Sequence, residues 1–186
     1  MSFNNLKAKA RASHMKDNLF AKRLRGSRDV KNIAPASVVK ATSNIPNAGL
    51  GLFANKDFKK GDIITQYGGT KMSLEEGRKS KSDYLFHIPR TNIVIDGEHD
   101  SGLGRYANDP VIYSKVNADI KGRSKTESAE IVATKNIKKG AEIYVSYGQD
   151  YWSNVDHYKL LTRRHQTYLY NNGTKQFQDW VDDNFD

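Results

Sequence analysis

Two glycines flank one apolar residue in Asn47-Ala48-Gly49-Leu50-Gly51. Such a pair lets a backbone come close to a ligand, although a short glycine turn alone is commonplace. Further along, Gly104-Arg105-Tyr106-Ala107-Asn108-Asp109-Pro110 puts a cation, an amide and a carboxylate into one loop. Asp83-Tyr84-Leu85-Phe86-His87-Ile88 followed by Ile93-Val94-Ile95-Asp96-Gly97 reads as a hairpin. The run from Glu142 to Trp152 reads as a strand entering an aromatic cluster. Singly, each serves packing or turn chemistry as readily as a site. What the chain lacks narrows the choice. Its five histidines (His14, His87, His99, His157 and His165) form no HExxH or comparable metal pair. There is no GxSxG elbow and no P-loop. Without cysteine, disulfides, thiolate zinc sites and a cysteine nucleophile are all excluded.

The order of these segments, over about residues 37–152, resembles the SET-domain protein lysine methyltransferases. Gly49-Leu50-Gly51 is similar to the family's opening GxG motif, and Tyr67-Gly68-Gly69 to the YxG-type segment that comes after it. Tyr84-Leu85-Phe86 with Ile95-Asp96 resembles its YLF…IDA stretch. Arg105-Tyr106-Ala107-Asn108 resembles the start of RFINHxCxPN, and Asn117-Ala118 its end. Glu142-Ile143-Tyr144-Val145-Ser146-Tyr147 resembles ELxFDY. Each motif is weak alone; together, in one order, they are specific. The resemblance implies a mainly β fold of the β-clip type, with several small sheets. In it the arginine–asparagine segment passes beneath another loop as a pseudoknot.

It also implies methyl transfer from S-adenosylmethionine to a lysine amine, the cofactor carrying the activated methyl and the protein supplying alignment. The amine must be neutral to attack, yet free lysine has a pKa of about 10.4. An aromatic-walled channel and the nearby sulfonium charge both disfavour the ammonium. On this resemblance Tyr147 is the central catalytic residue, its hydroxyl beside the transferring methyl, and Tyr84 lines the channel. The backbone of Ala48, Gly49, Leu50 and Gly51 would hold the methionine part of the cofactor. Arg105 and Asn108 would contact its carboxylate or amino group, Asp109 would lie near the adenine, and Trp152 would stack on it. No metal is implied. A histone-tail lysine is the first-choice substrate, which would place the protein in the nucleus; another protein is the second version. The alternative from a different class is a catalytically silent SET-like module that binds a peptide or nucleic acid.

Several positions depart from the family pattern. Asp109 stands where the family has histidine, three extra residues separate Asn108 from Asn117, and the motif's cysteine is missing. Neither a pre-SET nor a post-SET zinc cluster can form, so closing the channel falls to the aromatic tail, with Tyr151, Tyr158 and Tyr168 as candidates. Val145 occupies the position where related enzymes place the Phe or Tyr that limits product methylation.

The elements that must position these residues are short. Strands are expected at 37–41, 62–67, 84–88, 92–96, 129–134 and 142–147, separated by glycine or polar turns. Apolar spacing at 5–25 suggests a helix stopping near Gly26, and a helical tail is expected from Trp152 onward. The domain frame is then a basic extension at 1–36, the SET domain at 37–152, and a tail at 153–186. One echo runs through it: Lys56-Asp57-Phe58-Lys59-Lys60-Gly61 recurs as Lys135-Asn136-Ile137-Lys138-Lys139-Gly140. The expected physical basis is a repeated turn and strand.

The net charge of +9 is unevenly placed, residues 1–40 holding ten basic against two acidic groups. That arm is a candidate nucleic-acid contact by counterion release. No run approaches a membrane span or a secretory signal, so an intracellular protein is expected.

Overall fold

The computed structural model describes residues 36–185. The expected basic extension and its helix at 5–25 lie outside the described residues. In chain order the strands are β1 (Val38–Thr42), β2 (Leu50–Ala54), β3 (Ile63–Tyr67) and β4 (Thr70–Ser73). Helix α1 (Leu74–Lys79) comes next, then β5 (Leu85–His87), β6 (Ile93–Asp96), β7 (Ala118–Arg123), β8 (Ser128–Ala133) and β9 (Glu142–Ile143). Helices α2 (Gln149–Trp152), α3 (Val155–Leu160), α4 (Arg163–Asn172) and α5 (Lys175–Phe185) complete the chain. The strands pair antiparallel in three small sheets, ordered β1-β2-β9, β3-β8-β7 and β4-β6-β5. This is the mainly β, several-sheet architecture expected, with the helical tail in place.

The three sheets enclose one core in which Leu52, Ile88, Ile131, Ile143 and Val145 are fully buried. Each such side chain stabilises the fold by about 1.5–3 kcal/mol on an area basis. The tail builds a second core, with Val111, Trp152, Tyr158, Leu169 and Phe177 at its centre. Local chemistry sets the helix starts: Ser73 and Glu76 form a reciprocal capping box on α1, while Asn154 and Thr162 cap α3 and α4.

The echoed segments fold as an interlocked pair. Phe58 and Ile137 exchange both backbone hydrogen bonds, at 2.8 and 2.9 Å. The side chain at the second position of each copy accepts the backbone N–H at the fifth position of the other: Asn136 from Lys60 (3.0 Å), Asp57 from Lys139 (2.9 Å). Gly61 and Gly140 both take positive φ, at 96° and 86°, which closes each turn where a side chain would be strained. Their N–H groups donate to Ala133 and Ala54, again equivalent positions. The lysine-bearing turns are thus related by a local pseudo-dyad.

The expected strand at 142–147 ends at Ile143 because Tyr144 and Val145 pair with a loop instead. Val145 donates to the Asn108 carbonyl at 3.1 Å, and Asn117 and Ala118 donate to the Tyr144 carbonyl at 3.1 and 2.9 Å. The Asn117 side chain completes the grip, accepting from the Tyr144 N–H and donating to the Glu142 carbonyl. Tyr144 and Val145 therefore lie between the Asn108 and Asn117 ends of the loop that joins those residues. This is the pseudoknot, an exception to the usual avoidance of threaded connections.

Candidate active site

Gly51 lies inside β2, and its role is to admit a carboxylate. A Cβ there would stand 2.2 Å from Glu142 Oε1. Glu142, only 3% exposed, accepts hydrogen bonds from the Ser43 hydroxyl (2.6 Å), the Asn44 N–H (2.7 Å) and the Tyr144 hydroxyl (2.8 Å). It thereby ties the loop carrying Ala48 and Gly49 to the strand that leads to Tyr147. The Asn108 amide donates to the Leu50 carbonyl at 2.9 Å and fixes the same loop from the other side. Glu142→Gln keeps the shape but presents an NH₂ group to at least one of these donors. We expect it to cost about 1–2 kcal/mol in urea unfolding. A midpoint and slope unchanged from wild type would dismiss the clamp.

Asp109 is a second buried anchor, 7% exposed. One oxygen accepts from the Val111 N–H (2.6 Å); the other accepts from the Tyr147 N–H (2.8 Å) and the Trp152 indole N–H (3.0 Å). Burial pushes its pKa above the ordinary carboxylate value, while the three donors work the other way. Tyr147 is half-buried at the seam of the two cores, packed on both. Its hydroxyl donates to the Ala107 carbonyl at 3.1 Å, and its ring lies 4.8 Å from Tyr151 and 6.1 Å from Trp152.

Tyr84 is 37% exposed, and its carbonyl accepts from the Tyr67 hydroxyl at 2.8 Å and from the Gly97 N–H at 3.0 Å. The Arg105 guanidinium donates to the Glu98 carbonyl and to the Tyr106 hydroxyl. Burial raises the pKa of Tyr67, Tyr84, Tyr147 and Tyr151 alike, and charge effects among these groups and Asp109 push Tyr147 further up. All four phenols are neutral near pH 7. The structure therefore brings together Leu50, Gly51, Ala107, Asn108, Asp109 and Tyr147, with Tyr67 and Tyr84 near enough to push the Tyr147 pKa up. It places Trp152 in the tail's aromatic core and turns the Arg105 head toward its own loop. Two surface clefts, one of about 430 Å³ beside Lys71, Ser73, Asn92 and Glu127 and one of about 240 Å³ beside Gln149, Thr174 and Trp180, include none of the converging residues. Among the described residues no acidic or histidine group is arranged to hold a metal.

A family model described as "SET domain" matches residues 49–148. The chain belongs to the SET-domain family. Curated relatives include "Histone-lysine N-methyltransferase EZH2" of Chaetomium thermophilum, 28% identical over 147 residues, covering 72% of this chain and 10% of that protein. "N-lysine methyltransferase KMT5A-A" of Xenopus laevis is 24% identical over 132 residues, covering 63% of this chain and 38% of that protein. Among solved structures, "ctPRC2 in an autoinhibited conformation bound to S-adenosylmethionine" superposes with a TM-score of 0.52 at 29% identity. That match covers 62% of this chain and 16% of the other. The chain thus spans well under half the length of these relatives.

In this SET domain the tail is fastened by a contact that the motif pattern does not contain. His157 Nε2 faces Asp83 Oδ1 at 3.0 Å, and Nδ1 faces the Tyr151 carbonyl at 3.0 Å. Both partners are acceptors, so the imidazolium satisfies both at once. Its ring stacks on Tyr151 at 4.1 Å. Burial alone would lower the His157 pKa; Asp83, the Tyr151 carbonyl and Asp156 outweigh it, and the net direction is up. A raised folded-state pKa gives stability that is fully present below the unfolded value, 6.5, and lost as pH rises through the folded one. Tail protection against limited proteolysis is expected to fall as pH rises above about 6.5. His157→Gln should flatten that dependence; a profile shared by both proteins would dismiss the latch. Tyr158 lies in the tail core, and Tyr168 receives the Tyr113 N–H at 3.2 Å.

The bonding roles of Tyr67, Glu142, Asp83 and His157 were not assigned from the sequence. Tyr67, Glu142 and Asp83 carried a signal only as members of quoted segments, the YxG-type motif, the late strand motif and the hairpin, and His157 carried none.

Proposed function

We propose that this SET domain is an S-adenosylmethionine-dependent protein-lysine N-methyltransferase, with a histone-tail lysine as first-choice substrate. The observation that carries the reading is the meeting of the Gly49–Gly51 stretch, Asn108 and Tyr147, joined by the Asn108–Leu50 and Tyr147–Ala107 hydrogen bonds. The names of the relatives, both lysine methyltransferases, support the reaction, and the solved relative described as bound to S-adenosylmethionine supports the cofactor. The donor set suits that group. Asn47 and Gly49 hold positive φ, at 65° and 78°, on an accessible loop whose main-chain groups can meet an amino-acid end. When bound, the cofactor supplies a methyl group on a positively charged sulfur.

The chain's own residues would do the rest. The loop at Ala48, Gly49, Leu50 and Gly51, with Asn108 and Asp109 behind it, would orient the cofactor; Arg105 would brace the loop before Asn108. The Tyr147 hydroxyl donates a hydrogen bond to the Ala107 carbonyl, which leaves oxygen lone pairs for a weak CH···O contact. Tyr84 and Tyr147 would wall the lysine channel, where loss of water disfavours the ammonium. Their raised pKa values keep both phenols neutral, so they position rather than ionise. The tail at 153–186 would close the channel in place of a zinc cluster, and a chromatin substrate would place the protein in the nucleus.

Radiolabelled methyl transfer to core histones tests the reaction, with thermal stabilisation by S-adenosylmethionine read alongside. Labelling and a saturable rise in melting temperature are expected. Neither effect at any concentration would leave the silent-module reading standing.

A further inference from the structure

The pseudo-dyad pair of turns carries a charged face that the methyl-transfer reading does not use. Lys56, Lys59 and Lys60 on one turn and Lys135, Lys138 and Lys139 on the other are all exposed. The Phe58–Ile137 pairing holds the two sets side by side. Two carboxylates, Asp57 and Asp62, stand among these six lysines, and both have main-chain duties. Asp57 accepts from the Lys139 N–H while pairing with Lys138 Nζ at 2.8 Å; Asp62 accepts from the Lys59 N–H at 2.8 Å. Lys135 Nζ donates to the Ser114 carbonyl at 2.8 Å, and Lys56 Nζ lies over the Phe58 ring at 5.1 Å. Among the described residues, the ammonium groups of Lys59, Lys60 and Lys139 make no hydrogen bond or ion pair.

We propose that this paired-turn face binds the phosphate backbone of duplex nucleic acid. Clustered ammonium groups neutralise phosphates without reading sequence, and the released counterions supply the affinity. The turn backbones are pinned by their reciprocal caps and glycines, so the lysine roots need not be ordered on binding. What the face lacks selects the partner. Phe58 and Ile137, which lie between the lysines in each turn, are each 2% exposed. Among the described residues, no exposed aromatic platform stands among the cations for the unstacked bases of a single strand. Nor, among the described residues, do these turns present an exposed aromatic or aliphatic anchor of the kind that dominates protein interfaces, where lysine is depleted. An acidic protein is therefore the weaker match. Binding here needs neither cofactor nor Tyr147, so it stands apart from the catalytic reading.

The test uses the full chain and a fluorescein-labelled DNA duplex of roughly two helical turns, read by anisotropy across a potassium chloride series. The triple variant K59Q/K60Q/K139Q keeps every backbone cap and is expected to melt as wild type does. It should bind at least about tenfold more weakly near 0.1 M salt. The slope of log affinity against log salt should also shrink by about 0.9 for each phosphate that is no longer neutralised. Two unrelated duplex sequences should lose affinity equally. A second full-chain variant, K7Q/K9Q/K16Q, separates the basic residues before position 40 from the turns. Wild-type affinity and slope in the triple variant would overturn the proposal, as would loss confined to the second variant. Tighter binding of a single strand, or competition by poly-glutamate as strong as by unlabelled duplex, would overturn the choice of partner.

Discussion

Tyr147→Phe is expected to lower methyl transfer to histones by about two to three orders of magnitude, the range seen when one preorganised polar contact at a transition state is removed. The same change should leave cofactor binding within a few-fold of wild type. The ring keeps its packing on Tyr151 and Trp152, and its N–H still donates to Asp109. The hydroxyl is what disappears, and with it the bond to the Ala107 carbonyl. That loss costs the fold about 1–3 kcal/mol, because the carbonyl of buried Ala107 loses its hydroxyl donor. Turnover and stability are thereby separated. Labelling by the variant at the wild-type rate would remove Tyr147 from the role assigned to it.

Asp109→Asn should cost about 2–4 kcal/mol of stability. The carboxylate meets three N–H donors and offers an acceptor to each. An amide must turn its NH₂ toward either Val111 or the Tyr147–Trp152 pair, and in both orientations a buried donor faces another donor. The damage would spread because Asp109 joins the pseudoknot loop, the Tyr147 backbone and the tail's aromatic core. Asp109→His, which installs the family residue, should fare no better, since an imidazole cannot accept from all three. Urea unfolding followed by tryptophan fluorescence measures both variants. A shift below about 0.5 kcal/mol for Asp109→Asn, the range of ordinary surface changes, would show the hub to be dispensable.

The sequence carried the fold class because its motifs are pinned to backbone needs. Gly51 has to lack a side chain beside Glu142, Asn108 has to reach the Leu50 carbonyl on β2, and Asn117 has to reach the Tyr144 N–H just past β9. These constraints leave marks in residue type. Strand β7 left none: Ala118–Arg123 mixes charges and glycine, and it pairs only because β8 beside it is apolar. Helix α1 was legible in principle from Ser73 and Glu76, yet at six residues it offers no hydrophobic period. The purpose of Asp109 was opaque for a different reason. Its partners are two main-chain N–H groups and an indole 43 positions away, a combination that no local pattern announces. The same holds for Asp83 and His157, 74 positions apart.

The threaded passage at Tyr144 and Val145 sets an order on biosynthesis. Strand β2 waits for β9, its neighbour some ninety positions later, and the Asn108–Asn117 loop must already be formed, or still be loose enough to admit the incoming strand end. A ribosome delivering this chain from its amino end holds back the very segment that completes two of these pairings. The nascent protein thus emerges with an open sheet edge and unfilled interior until synthesis has passed the final tyrosine–glycine pair. The β4-β6-β5 and β3-β8-β7 sheets can pair before then, so the late step is completion of the β1-β2-β9 sheet, with its open edge most exposed to aggregation just before that point.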